Sequence, residues 1–109
     1  MTSIHILCDA KTHAVVGFEI LDHAGYADSG EDIVCAAISA LAITIQNSIE
    51  EQCSDAFIQE TDEENASMKF LIRHTPSHDA EVLLNAAKSG FEGIAKEYNE
   101  HVRVSIQEV

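Results

Sequence analysis

Basic residues are scarce in this chain, with 6 Lys and Arg against 19 Asp and Glu and a formal net charge of −13. A surface of that sign repels nucleic-acid phosphates, so direct nucleic-acid binding is not expected, whereas basic partners are attracted to it. Long apolar runs are also lacking. The longest, from Ile33 to Ile45, is interrupted by Cys35, Ser39 and Thr44 and is too short for a bilayer span, so no membrane association is expected. The start, Met1-Thr2-Ser3-Ile4-His5, has no basic segment leading into an apolar core, which argues against a signal peptide and for a cytoplasmic protein. Cysteine pairs are missing too: Cys8, Cys35 and Cys53 make an odd count with no Cys-x-x-Cys spacing. Without a secretion signal that argues against a disulfide framework, and each cysteine is then either a core filler or a reactive thiol.

Metal and phosphate chemistry find no support. Of the histidines outside the motif below, only His74 and His78 lie close together, and Pro76 between them prevents a continuous helix from aligning them. The acidic run from Glu60 to Glu64 lacks the glycine and ligand spacing of a calcium loop, and no phosphate-binding glycine motif occurs. Neither a metal nor a cofactor is expected.

What is present is one domain, residues 1–109, with 46% hydrophobic content, ordinary for a single core. Ser3–Cys8 and Ala14–Leu21 are rich in Ile, Val and Phe and read as adjacent strands. A glycine-containing loop from Asp22 to Glu31 follows, then a helix from about Glu31 or Asp32 to about Glu51. Its first half is apolar almost all round, so it is buried on more than one side, and in so small a domain the second side is expected to meet another subunit. Ala56–Gln59 and Ser67–Arg73 read as strands around an acidic turn, Glu60–Asn65. Pro76 breaks the chain, and Ser77 or Asp79 opens a second helix ending near Tyr98. Gly90 and Gly93 weaken that helix or permit close packing. Val102, Val104 and Ile106 alternate with polar residues in a last strand. The order ββαββαβ gives an α+β fold, a mostly antiparallel five-stranded sheet with two helices packed on one face.

His23 and Cys35 are the residues that suggest chemistry. A loop leaving a strand and turning back onto a helix brings such a pair together. The thiolate is the nucleophile, and a position early in a helix or beside an imidazolium favours it; a neutral imidazole serves instead as the general base. Asp32 and Ser39 lie three residues before and four after Cys35, on one helical face. A carboxylate that orients His23 acts as a third triad member, and spacing alone leaves Asp28 and Asp32 both open for that role. The same pattern also fits a core cysteine and a loop histidine.

The run Asp22-His23-Ala24-Gly25-Tyr26-Ala27, followed by Gly30-Glu31-Asp32-Ile33-Val34-Cys35-Ala36-Ala37-Ile38-Ser39, closely resembles the ribosomal-processing cysteine protease family (Prp). The resemblance extends to length, acidity and element order. It implies a homodimeric cysteine endopeptidase that removes the N-terminal extension of a basic large-subunit ribosomal protein, number twenty-seven. It further implies Cys35 as nucleophile, His23 as general base, Asp32 and Ser39 as assisting residues, and a mobile loop that includes Asp22, Gly25 and Gly30. Where the family usually has Gly before the His, this chain has Asp22, which either tolerates the same backbone conformations better than most residues or, as a neighbouring carboxylate, favours the charged form of His23. The alternative from another class is a non-enzymatic acidic factor that holds basic ribosomal proteins.

Overall fold

The computed structural model describes residues 1–22 and 29–109, with the side chains of 29–32 left outside that description. The elements are β1 (Thr2–Cys8), β2 (Val15–Asp22), α1 (Ser29–Gln52), β3 (Ile58–Asp62), β4 (Ser67–Leu71), α2 (His78–Glu97) and β5 (Val102–Glu108). They form one sheet in the order β3-β4-β2-β1-β5. The β1–β2, β2–β4 and β3–β4 pairs are antiparallel and β1–β5 is parallel. The α+β, mostly antiparallel architecture read from the sequence is therefore the one observed.

Strand parity explains the core. Ile4 and Ile6 of β1 stand opposite Ile20 and Phe18 of β2, and Phe18 stands opposite Phe70 of β4. These even-numbered positions share one face, as the two-residue period of a strand requires. Both helices cover that face. α1 contributes Val34, Ile38, Ala42, Ile45 and Ile49, and α2 contributes Ala80, Leu84, Ala87 and Phe91. Phe18 stacks on Phe70 with centroids 5.7 Å apart and meets Phe91 edge-on at 5.3 Å. Such pairs add about 0.5–1.5 kcal/mol beyond area burial. On the opposite face Leu7, Val16 and Leu71 form a small separate cluster.

Several boundaries differ from the sequence reading, three of them beside the site. α1 begins at Ser29, so Gly30, expected in the loop, is helical. β3 runs Ile58–Asp62, so the first half of the acidic run is strand and the turn occupies 63–66. An edge strand faces solvent, which removes the burial cost that made those acidic residues read as a turn. Asp22 closes β2 opposite Thr2 instead of opening the loop. Its backbone N–H donates to the carbonyl of Ala66 in the hairpin turn at 3.1 Å, which extends the strand by a residue.

α2 opens at Ser77, whose Oγ accepts from the backbone N–H of Ala80 at 3.2 Å, so Ser77 and not Asp79 is the N-cap. Of its two glycines, only Gly90 lies in close contact with the other helix. A Cβ there would lie 2.5 Å from Cδ2 of Leu41 on α1, whereas Gly93 faces open space. Over Ile33–Gln52, α1 is long and apolar enough on average to cross a membrane. Its Val34–Ile49 stripe is instead packed into the core.

Candidate active site

The first row of the core face carries polar residues where apolar ones would extend the core. Thr2 shares the parity of Ile4 and Ile6, and Asp22 shares that of Phe18 and Ile20. Above this row lies the second turn of α1. Val34 and Ile38 anchor that turn in the core, which leaves Cys35 half-buried and turned toward the β1–β2 pair. The Cys35 Sγ donates to Oδ2 of Asp22 at 3.7 Å and lies 4.0 Å from Oγ1 of Thr2. Thr2 is 2% exposed, so its hydroxyl is held in place by packing.

These groups open into a cavity of about 310 Å³ between α1 and the β3–β4 hairpin. Ile20, Ile38 and Met68 make it apolar on one side, and Asp62, Glu63 and Ser67 bring the hairpin to its rim. Ser39, one turn after Cys35, lines the same cavity. A concave, largely apolar space beside a thiol, edged by backbone of an exposed hairpin, suits an extended peptide.

The hairpin that forms the far wall is internally braced. Asp62 accepts from the Asn65 backbone N–H at 3.2 Å and from its side-chain amide at 2.7 Å. Those bonds, the side-chain one foremost, hold the Asp62 carboxyl below its ordinary value, so the rim stays anionic. Ala66 completes the turn at φ 50°, a conformation that costs a non-glycine residue about 1 kcal/mol, and directs its carbonyl to the Asp22 N–H.

Of the residues proposed from sequence, Asp22, Cys35 and Ser39 share this cavity. His23, Gly25 and Asp28 lie outside the described residues, as does the side chain of Asp32. Because α1 starts at Ser29, Cys35 is its seventh residue, whereas a start at Glu31 or Asp32 would make it the fifth or fourth. The helix field decays within the first turn, so it gives Cys35 less help than its early position suggested. Sequence alone does not single out Thr2, and it places Asp22 in the loop beside His23, not against Cys35. The available signal was their parity: both are polar at core-facing positions. Among the described residues no three His, Cys, Asp or Glu side chains converge to hold a metal ion.

The family model described as cysteine protease Prp matches residues 1–103. Among solved structures, the chain is similar to an essential ribosomal processing protease Prp from S. aureus in complex with a substrate peptide. The identity is 23% and the TM-score 0.89, covering 98% of this chain and 100% of that one. It is likewise similar to that organism's protease with a covalently linked product peptide, at 24% identity and a TM-score of 0.85, with coverages of 98% and 100%. A Streptococcus mutans protein matches at 22% identity and a TM-score of 0.84, over 100% of this chain and 96% of its own. No curated protein matches the chain. At these identities the structural likeness carries the fold, and the family model carries the chemistry. On that match, and with a half-buried thiol opening on a peptide-sized cleft, the chain belongs to the cysteine protease Prp family.

Proposed function

We propose that the chain is a cytoplasmic endopeptidase that removes the N-terminal extension of a basic large-subunit ribosomal protein, number twenty-seven. Cys35 is the nucleophile and His23 the base that takes its proton. The thiolate adds to the scissile carbonyl, the leaving amine receives the proton from the imidazolium, and water then releases the acyl group from sulfur. Ser39 lies along the cleft, and Asp32 is the candidate to orient His23. The observation that carries this reading is the cavity shared by Cys35 Sγ, α1 and the β3–β4 hairpin, in a chain of this family. The S. aureus relatives supply the substrate class, since they are named as ribosomal processing proteases and were crystallised with peptides. The acidic surface favours encounter with a basic precursor at low salt.

The test incubates the purified chain with precursor ribosomal protein and compares Cys35→Ala and His23→Ala. Both variants lose cleavage if the assignment holds, and undiminished cleavage by either overturns it. A purely binding role predicts instead a salt-sensitive complex that is indifferent to Cys35.

We further propose that the active species is a homodimer formed along α1. Ile33, Ala36, Ala40 and Ile43 recur at heptad spacing on the side away from the core, and Ile33 and Ile43 are 62% and 48% exposed. Sedimentation at micromolar concentration showing only an 11.9 kDa species refutes the dimer.

A further inference from the structure

The arrangement around Cys35 differs from what nucleophilic attack requires. Attack needs the thiolate, yet the Sγ here lies 3.7 Å from a carboxylate oxygen, a group that can accept a hydrogen from the thiol but offers none to a thiolate. Asp22 is fixed in that position from two sides. Its backbone pairs with Thr2 across β1–β2, and its N–H is held by the Ala66 carbonyl across the hairpin. The sulfur is fixed as well, because Val34 and Ile38 on either side of Cys35 are fully packed. Thr2 Oγ1, at 4.0 Å, is free to donate to the sulfur once Asp22 has taken the thiol hydrogen.

We propose that Asp22 is a positioning residue for the nucleophile: its carboxylate accepts the Cys35 S–H and keeps the thiol protonated in the substrate-free protein. A negative charge at this distance opposes formation of a second one, and the surrounding apolar wall of Ile20, Ile38 and Met68 strengthens the effect. The other ionisable groups of the described cleft act in the same sense. β3 and its turn bring Asp62 and Glu63, while β1 and β4 bring only the neutral Thr2, Ser67 and Met68. The resting thiol is thereby spared the oxidation and alkylation to which a thiolate is prone. Deprotonation is deferred to the catalytic base. This rests on Cys35 being the nucleophile, which is tested separately by cleavage.

The experiment follows iodoacetamide labelling of Cys35 against pH by mass spectrometry, in the full chain and in Asp22→Asn and Asp22→Glu. Asp22→Asn labels about tenfold faster or more near neutral pH, with its profile displaced to lower pH, and Asp22→Glu returns toward the slow parental profile. A parental and an Asn profile that coincide, or an Asn profile displaced to higher pH, overturns the proposal. Labelling of the buried Cys8 reports whether each variant is folded. A second measurement needs no change at Asp22: the thiolate ultraviolet absorbance of the parental chain minus that of Cys35→Ala is absent at neutral pH. Appreciable thiolate there overturns the proposal even if the Asp22 variants fail to fold. Loss of cleavage is not the readout, so failure of the Asp22 role and failure of the nucleophile assignment give different results.

Discussion

The two ends of α1 each carry a half-buried cysteine beside a carboxylate, and they are built for different purposes. Cys35, in the second turn, opens on a cleft and touches Asp22 and Thr2, residues from strands distant in sequence. Cys53, immediately after the last helical residue, donates its backbone N–H to the Ile49 carbonyl at 3.0 Å and lies near the start of α2. Burial first, then Asp55 and Asp79, push its thiol above the ordinary value. Asp55 itself is occupied in fastening the two helices together. It accepts from the backbone N–H of Ser77 at 2.8 Å and from its hydroxyl at 2.5 Å, and these bonds lower its carboxyl. The difference shows that a thiol near a carboxylate is a generic motif. What distinguishes the catalytic candidate is a carboxylate 3.7 Å from the sulfur itself, beside the cleft between α1 and the β3–β4 hairpin, whereas Asp55 is bound to Ser77.

The largest test of that contrast exchanges each thiol for a methyl. Cys35→Ala lowers cleavage by about a thousandfold or more, the usual cost of losing a nucleophile. Cys53→Ala leaves cleavage within about twofold and reports only on packing.

A second substitution erases the distinction from the core. Phe91 is fully buried against Phe18, and Phe91→Ala costs about 3–5 kcal/mol, measured by urea unfolding. Local differences between the two ends then collapse, and all three cysteines label at rates approaching one another.

Asp55→Asn sharpens the contrast from the far end. Loss of the charged clamp on Ser77 costs about 1 kcal/mol at neutral pH, discounted for its exposed position. Its folded-state carboxyl is lowered, so this stabilisation is present above the ordinary value of 3.8 and vanishes as pH falls through the lower folded value. Parental and variant unfolding curves therefore separate at neutral pH and converge in acid. Labelling of Cys53 rises modestly while that of Cys35 does not change.

The smallest effect is at the hairpin. Ala66→Gly relieves the left-handed conformation at φ 50° and raises stability by about 0.5 kcal/mol, net of glycine's greater unfolded entropy. Cys53 is indifferent to it.

The two regions were unequally legible in the sequence. α2 declares itself through Pro76, Ser77 and the helical recurrence of Leu84, Ala87 and Phe91, because helix signals are local. The acidic stretch at Glu60–Asp62 read as turn because charge usually marks solvent, and an edge strand is also solvent-facing. Asp22 read as loop because nothing local shows that Ala66, far along the chain, will pair with it. The Cys35–Asp22–Thr2 contact was illegible for the same reason. It depends on the β1–β2 register and on the way Val34 and Ile38 turn α1, and neither is a property of the residues in contact.

By itself, the sequence determined the element order and the mostly antiparallel α+β class, and its likeness to a known family singled out the thiol worth suspecting. Those follow from periodicity, capping chemistry and a motif with its own spacing, all of which act over a few residues. Only the tertiary structure decided the strand order β3-β4-β2-β1-β5, the cleft between α1 and the hairpin, and the carboxylate that meets the sulfur. Long-range pairing sets these, and many registers satisfy the same local pattern until burial of one shared face selects among them.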